Sequence, residues 1–506
     1  MLASVASCAV IGLNGALVDI EVDIGPGLPT FTIVGLPDTA VQEAKERVRT
    51  AIKNSGCAFP NRKITVNMAP ADLRKAGPAY DLPIAVGILV ASGQANASTP
   101  KSVFIGELGL DGTVRHVNGI ISMVSTAMEE GFSQIFVPKE DAPEASLIPN
   151  VTIYPVQTLG ELAAHLRGEA PIVPFTNSTG WQDEAPIEGL TDMAEIKGQD
   201  HAKRALEIAA AGHHNILMSG PPGSGKTLLA RSLPTILPKM YTEEALEVTK
   251  IYSVAGLLPK NRPLITERPF RAPHHTISYA GLIGGGRQPK PGEVSLAHRG
   301  VLFLDEMPEF AQNILELLRQ PLEDRVVTIS RVSGTITLPA DFLLVGAMNP
   351  CPCGYAGDPV RECQCSPAAI TRYQKKLSGP LMDRIDIHIE VPRVEFEKLA
   401  SRGTGESSKN IRERVEKARE IQKKRFGNNP HKQNSNMTPA DIRRYCQLNE
   451  KGQAILKMAV QQLGLSARAY HRILKLARTI ADLEGHDQIQ TPHVAEAIQY
   501  RRREIN

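Results

Sequence analysis

Residues 220–227 read GPPGSGKT, that is Gly220-Pro221-Pro222-Gly223-Ser224-Gly225-Lys226-Thr227. The octet meets the spacing G-x-x-x-x-G-K-[ST] at every fixed position. The run before it, Asn215-Ile216-Leu217-Met218, is short and apolar, as a buried strand is, and Leu228 to Leu233 after it can open a helix. Strand, glycine loop and helix start make a phosphate cradle, because backbone N–H groups and a helix N-terminus converge on one anion. Gly220, Gly223 and Gly225 leave the backbone bare enough to approach phosphate oxygens. Lys226 would reach the β- and γ-phosphates, and Thr227 would bind Mg²⁺. The octet predicts an α/β core with ATP and Mg²⁺ as cofactors.

Downstream, Gly300-Val301-Leu302-Phe303-Leu304-Asp305-Glu306 is an apolar strand ending in two carboxylates. Behind a matched phosphate loop, Asp305 is expected to hold Mg²⁺ and Glu306 to polarise the attacking water. Phe342 to Asn349 is a further apolar strand. Its terminal amide, Asn349, either caps the strand or positions that water. Between the two strands, Arg325 to Leu338 alternates on both sides of Val332-Ser333-Gly334, which predicts a β-hairpin. The segment resembles a hairpin of AAA+ helicases that touches DNA; that resemblance makes Arg331 at its tip the candidate for phosphate contact, with Lys290 and Arg287 behind it. A solvated hairpin edge carrying a protective charge is the competing reading for Arg331.

Four of the seven cysteines cluster as Cys351-Pro352-Cys353 and Cys363-Gln364-Cys365, nine residues apart. Four thiolates on one short loop can surround a tetrahedral Zn²⁺. Reduced thiols or redox pairs are the alternatives. Cys8, Cys57 and Cys446 are scattered and read as core residues.

The chain has 506 residues, 42% hydrophobic and 22% charged, which suits a soluble protein of several domains. No apolar run reaches the roughly 18 residues a membrane span needs. The opening MLASVASCAVIGLNGALVDIEVDIG lacks a basic n-region and reads as strand rather than signal peptide. Seven cysteines without such a signal predict the reducing cytoplasm. The net charge of +3 selects no partner. From Lys409 to Arg444, eleven Lys and Arg face four acids. That balance suits nucleic acid or solvated helix faces equally.

Five segments are expected. Residues 1–168 alternate strands (16–22, 31–34, 63–68, 103–108, 134–137) with helices (39–54, 82–91) and carry no phosphate loop. Residues 169–189 are a Pro-, Ser- and Thr-rich linker holding the single tryptophan, Trp181. The ATPase core spans 190–392, a charged and partly helical insert 393–436, and a helical lid 437–506. In the lid, Thr438-Pro439 and Thr491-Pro492 each place Thr at an N-cap and Pro in the first turn.

Two resemblances add to this reading. GLPTFTIVGLPD at 27–38, NMAPADLRKAGPAYDLPIA at 67–85 and IGELGLDGTVRHVNGI at 105–120 resemble the Lon-protease-like domain, which has a ribosomal-S5-type fold. The proteolytic form uses a Ser–Lys dyad. Ala79 stands at the serine position, and no lysine occurs between Val117 and Glu130. Without nucleophile and base there is no acyl-enzyme chemistry, so a non-proteolytic scaffold is expected. Residues 190–392 resemble the AAA+ branch that holds magnesium chelatase and the MCM helicases. Leu381-Met382-Asp383-Arg384-Ile385-Asp386 resembles its arginine-finger segment. The resemblance implies that Arg384 acts in a neighbouring subunit's site, and so implies a hexameric ring. An internal ion pair with Asp383 or Asp386 is the other reading. Asn349 matches the sensor 1 position and Arg468 the sensor 2 position, with Arg472 one turn later as the alternative contact.

With NPCPCG at 349–354 added, nearly the whole chain resembles the YifB/ComM family of magnesium-chelatase-like AAA+ ATPases. The resemblance implies an ATP-driven hexameric helicase on single-stranded or branched DNA. It would promote branch migration as DNA integrates during natural transformation and homologous recombination. A metal-chelatase-type motor subunit and an ATP-dependent protease are the competing functions.

Overall fold

The computed structural model describes residues 1–72, 75, 77–96, 101–176, 190–286, 290–331, 334–394, 405–427, 429 and 431–501. Trp181, Arg287 and the Arg331 side chain lie outside the described residues. The chain divides into two compact units. One is Met1–Asp183 with Thr242–Ile265, the other Glu184–Tyr241 with Thr266–Asn506.

The first unit is built on a seven-stranded mixed sheet. Its centre is a long antiparallel pair, Leu2–Ile11 against Asn14–Gly25. Val18, Ile20 and Val22 are fully buried, while Asp19 and its alternating partners face outward. That is the period-two pattern of a half-covered strand. Helix Thr39–Asn54 turns Val41, Ala44, Val48 and Ile52 inward, and Asp38 caps it by accepting from the Val41 N–H at 2.9 Å. Helix Asp81–Ala91 is apolar on all sides and buried almost throughout. Ala79 is buried just before it.

The first unit also takes in a segment that sequence order assigns to the expected ATPase core. Helix Thr242–Ala255 lies beside helix Ile120–Glu129, and Leu246 joins the apolar cluster of Ile120, Ile121 and Val124. Ser253 Oγ donates to the buried Glu144 carboxylate at 2.5 Å and accepts from the Gly119 N–H at 3.0 Å. Burial pushes the Glu144 carboxyl up to about 7, although Ser253 and the Ile121 N–H both bond it. Apolar periodicity shows that 242–255 is a helix. It does not show which core the helix joins.

The second unit carries five parallel strands in the spatial order Phe270–Arg271, Val301–Leu304, Leu343–Met348, Ile216–Ser219, Ile387–Glu390. They read as short apolar runs because both faces are covered. Helix Ser408–Phe426, inside the stretch expected to be a charged insert, lays Ile411, Val415 and Ala418 into the same apolar cluster as the sheet. Three of its cations serve the fold. Arg414 pairs with Glu207 and Glu406, Arg419 donates to the Ala210 carbonyl, and Arg425 pairs with the buried Asp482. The helices Pro439–Tyr445, Glu450–Gln462, Ala467–Leu483 and Thr491–Gln499 close this unit, with Ile473, Leu476, Ala477 and Ile480 in the shared core. Thr438 caps the first of them, as expected. The last begins one residue early, with Gln490 at the N-cap, where its N–H donates to His493 Nδ1 at 2.9 Å. Among the described residues, no helix is long and apolar enough to cross a membrane.

Candidate ATP site

In a parallel sheet, the loops leaving the C-terminal strand ends collect at one edge. Three such ends matter here. The register Ser219↔Met348 brings Gly220 out beside Asn349, and Leu304↔Gly346 brings Asp305 to the same edge. The Gly220 N–H donates to the Met348 carbonyl at 3.2 Å, and a Cβ at position 220 would lie 2.1 Å from the Val391 carbonyl oxygen. Only glycine fits there. Gly223 and Gly225 adopt φ of +76° and +92°, open to glycine at no cost. Ser224 is buried under the loop, whereas Pro222 and Gly223 are exposed at its rim.

Helix Lys226–Ile236 starts at the lysine itself. Lys226 Nζ donates to the Gly220 carbonyl at 2.7 Å and the Pro221 carbonyl at 2.9 Å, and lies 3.3 Å from Asn349 Oδ1. Burial lowers its pKa. The ammonium is folded onto its own loop, and a phosphate would take over these donors. Thr227 Oγ1 donates to Asp305 Oδ2 at 2.9 Å, and Asp305 Oδ1 accepts the Glu306 N–H at 2.9 Å. A hydroxyl and a carboxylate side by side are hard oxygen donors of the kind Mg²⁺ takes. Glu306 has φ +48° and ψ +45°, a left-handed conformation rare for a residue with a Cβ, and its side chain is 59% exposed. Gln199, just before helix Asp200–Gly212, donates to the Ser224 and Pro392 carbonyls and fastens the loop from behind.

The cysteine loop leans on this site. Asn349 is followed directly by Pro350 and Cys351, Gln374 Nε2 donates to the Pro350 carbonyl, and the Tyr373 hydroxyl meets the Asn349 backbone amide. Gly354 has φ +87°, and a Cβ there would lie 2.7 Å from Pro222 Cδ. The Sγ atoms of Cys351, Cys353, Cys363 and Cys365 all lie within 4.8 Å of one another, three pairs at 3.3, 3.6 and 3.7 Å. Ligands about 2.3 Å from a tetrahedral Zn²⁺ stand about 3.8 Å apart, so the donor set fits that ion. The Ala356 N–H points at Cys351 Sγ, and the amides of Tyr355 and Gln364 draw the Cys353 thiol down to about 6, while burial and the neighbouring thiols push Cys363 and Cys365 up. Arg361 and Arg393 stack on the Tyr355 ring and brace the loop.

The remaining candidates are not part of this cluster. Arg384 donates to the Glu323 carboxylate and the Pro380 carbonyl, and its Nε is buried without a partner. Neither Asp383 nor Asp386 is its counter-ion. Asp386 faces His214 at 3.0 Å and Arg472 at 3.1 Å. Against the cost of burial, these two hold its carboxyl well below the usual range. Arg472 is thus committed within its own protomer. Arg468 is exposed in the first turn of helix Ala467–Leu483 and has no hydrogen-bond or ion-pair partner among the described residues. Lys290 is exposed on a two-residue strand paired with Gly284–Gly285. The strands Val326–Arg331 and Gly334–Pro339 pair antiparallel, with Arg331 opposite Gly334. Glu323 and His275, which lies 4.0 Å from Glu306, had no sequence signal, because each meets its partner across more than thirty residues of chain.

Residues 192–399 match the family model described as magnesium chelatase, subunit ChlI. Residues 20–141 match subunit ChlI of Mg-chelatase, and 405–501 match the ChlI C-terminal model. Competence protein ComM of Haemophilus influenzae is 47% identical over 505 residues, covering 99% of this chain and 97% of the relative. The chain belongs to the YifB/ComM family of magnesium-chelatase-like proteins. The uncharacterized YifB of Salmonella typhimurium is 44% identical, again over 99% and 97% of the two chains. A shorter likeness, 36% over 110 residues, reaches DNA repair protein RadA of Streptococcus pneumoniae, covering 22% of this chain and 26% of that one. YifB/ComM membership places the chain among AAA+ proteins and implies an ATPase that uses ATP and Mg²⁺.

Proposed function

We propose that the chain is an ATP-driven motor on DNA, working as a homohexamer in the cytoplasm. It would act as a helicase that promotes branch migration when incoming DNA is integrated during transformation and homologous recombination. The observation that carries this is the half-built site. Lys226, Thr227, Asp305, Glu306 and Asn349 gather at the ends of three parallel strands, while Arg384 and Arg468 stand apart from them. A neighbouring protomer would supply those two arginines, which gives the ring its reason to exist. In this reading Gly220 to Thr227 cradle ATP, Thr227 and Asp305 hold Mg²⁺, Glu306 activates water and Asn349 orients it. Arg331, Lys290 and Arg287 would track a DNA backbone. The names of the ComM and RadA relatives support DNA as the substrate.

The first unit would be a Lon-protease-like scaffold without protease chemistry, the buried Ala79 standing where a nucleophile would be. The helices after 437 would form the lid. Cys351, Cys353, Cys363 and Cys365 would hold a structural Zn²⁺ that fixes the loop after Asn349. Elemental analysis of protein never exposed to chelator should give about one zinc per chain; a ratio near zero removes the metal. The ChlI family matches favour one competitor, a motor subunit that remodels a protein partner. A helicase assay separates the two, comparing wild type with Lys226→Ala, Glu306→Gln and Arg331→Ala on forked and branched DNA. If wild type hydrolyses ATP yet neither binds nor unwinds any DNA structure, the DNA reading fails.

A further inference from the structure

We infer that Arg472 is a positioning residue for ATP hydrolysis: through Asp386 it holds the segment that carries Arg384, and through its own helix it holds Arg468, so that both arginines are presented as one unit. The inference rests on the reading that Arg384 and Arg468 act in a neighbouring protomer's site.

Two short spacings meet at one contact. Arg384 and Asp386 are two residues apart, on the stretch that leads into strand Ile387–Glu390. Arg468 and Arg472 are four residues apart in helix Ala467–Leu483, and so share one face of it. Arg472 Nη1 stands 3.1 Å from Asp386 Oδ1, off the line of a hydrogen bond, which makes the contact ionic. The attraction of two charges depends on their distance rather than on an angle.

The carboxylate is held from its other side as well. Asp386 is buried, and its Oδ2 lies 3.0 Å from His214 Nδ1. His214 Nε2 pairs with Thr479 Oγ1 at 2.8 Å, two turns beyond Arg472 on the same helix. Asp386, His214, Thr479 and Arg472 thus close a ring between the segment and the helix. It has no slack. A Cβ at Gly212 would lie 2.3 Å from the His214 ring and 2.5 Å from Thr479 Oγ1.

The backbone between Arg384 and His388 is gripped from two directions. Asn215, just before strand Ile216–Ser219, donates from Nδ2 to the Arg384 carbonyl at 3.0 Å, and its own carbonyl accepts the Asp386 and Ile387 N–H groups at 3.0 Å. From the C-terminal helices, the Tyr500 carbonyl accepts the His388 N–H at 2.8 Å, and Arg501 Nη1 reaches the Ile385 and Asp386 carbonyls at 3.5 and 3.4 Å. Arg384 therefore sits where the strand before the phosphate loop meets the C-terminal helices. A buried carboxylate left without its cation is costly, so the ion pair stays closed as these helices shift. Arg384 and Arg468 then move together.

The test uses the full-length chain. Misplacing a charge-stabilising group by about 1 Å costs about 10²-fold in rate, so Arg472→Gln is expected to lower kcat for ATP on that scale, with binding of a fluorescent ATP analogue unchanged. Arg472→Lys, which keeps the charge, should recover most of the rate. Arg472→Gln is then diluted into an excess of Lys226→Ala, whose own site is dead but whose arginines are intact. Each Arg472→Gln site should now turn over at close to the wild-type rate. A rate that stays low, while Arg384→Ala is rescued by the same excess, overturns the inference: Arg472 then serves only its own protomer. If Arg384→Ala is not rescued either, the reading of arginines shared between protomers has failed, and the inference falls with it. Without nucleotide, Asp386→Asn and Arg472→Gln should each lower Tm, and the double variant should fall no further than the lower single one; the losses in kcat should likewise not multiply. Additive Tm shifts with multiplying kcat losses overturn the pairing. If Arg472→Gln does not fold, Asp386→Asn goes through the same mixing with the same two outcomes.

Discussion

Lys226 and Arg384 are both cations proposed to meet the γ-phosphate, yet the fold treats them oppositely. Lys226 is held by two carbonyls of its own loop and by Asn349, ready where it stands. Arg384 is turned onto Glu323, with its Nε buried and unpaired. The lysine swaps local acceptors for phosphate oxygens at little cost. The arginine must leave a carboxylate, and gains a partner for an orphaned donor when it does. Groups meant for their own protomer are pre-assembled, whereas groups proposed for a neighbour are parked or, like Arg468, left in solvent.

The largest expected effect breaks that contrast directly. Arg384→Ala should lower kcat for ATP by about 10³-fold, the scale of an arginine finger, with nucleotide binding retained. Lys226→Ala should abolish hydrolysis as well. Mixed in equal amounts, the two inactive proteins should recover about a quarter of wild-type turnover, because some interfaces pair an intact lysine with an intact arginine. No recovery on mixing would mean that Arg384 works at home and the contrast is false.

A smaller effect sharpens the pre-assembled half. Gly354→Ala places a methyl group 2.7 Å from Pro222 Cδ, at a φ of +87°. Neither a proline ring nor the cysteine loop yields easily, so the KM for ATP should rise several-fold, roughly the effect of 1–2 kcal/mol of strain. Unchanged KM and kcat would show that the cysteine loop and the phosphate loop are independent.

The smallest effect concerns a contact outside the site. The folded Glu144 carboxyl ionises near 7, later than the 4.5 of an exposed glutamate, so the folded state keeps an extra proton between those values. Stability then falls as pH rises from the lower value to the upper, and stays level beyond it. His116, raised from 6.5 to about 9 by its hydrogen bond to Asp141, adds a second decline between those two values. Glu144→Gln should erase the lower limb, on the order of 3 kcal/mol, and leave the upper one. Thermal unfolding across pH 5 to 9 reads this, and ATP turnover per folded molecule should not move.

What the sequence disclosed follows from how local each feature is. The phosphate loop is eight consecutive residues with flanks that name their own structure, and Asp305, Glu306 and Asn349 end strands visible as apolar runs. The helix Ser408–Phe426 shows the opposite case. Ile411, Val415, Ala418 and Gln422 recur at core spacing, but the surrounding lysines and arginines invite a nucleic-acid reading. In the structure Arg414, Arg419 and Arg425 bond within the chain. The partners of Arg384 and Glu306 could not be read at all. Glu323 is 61 residues from Arg384, and no periodicity encodes a contact that the fold alone creates.

The segment Thr242–Ile265 bears on how the chain is made. Synthesis runs from the N-terminus, and a domain usually folds as soon as its last residue clears the ribosome. The first unit cannot follow that rule at the end of its N-terminal segment, Met1–Asp183. Until Ser253 emerges, Glu144 and the Gly119 amide lack their shared partner, and the apolar cluster around Ile121 lacks Leu246. By then the phosphate loop has already been translated. A nascent chain must therefore keep its first unit unfinished while the opening of the second is growing, and a protein cut at the sequence-defined boundary never completes its first unit.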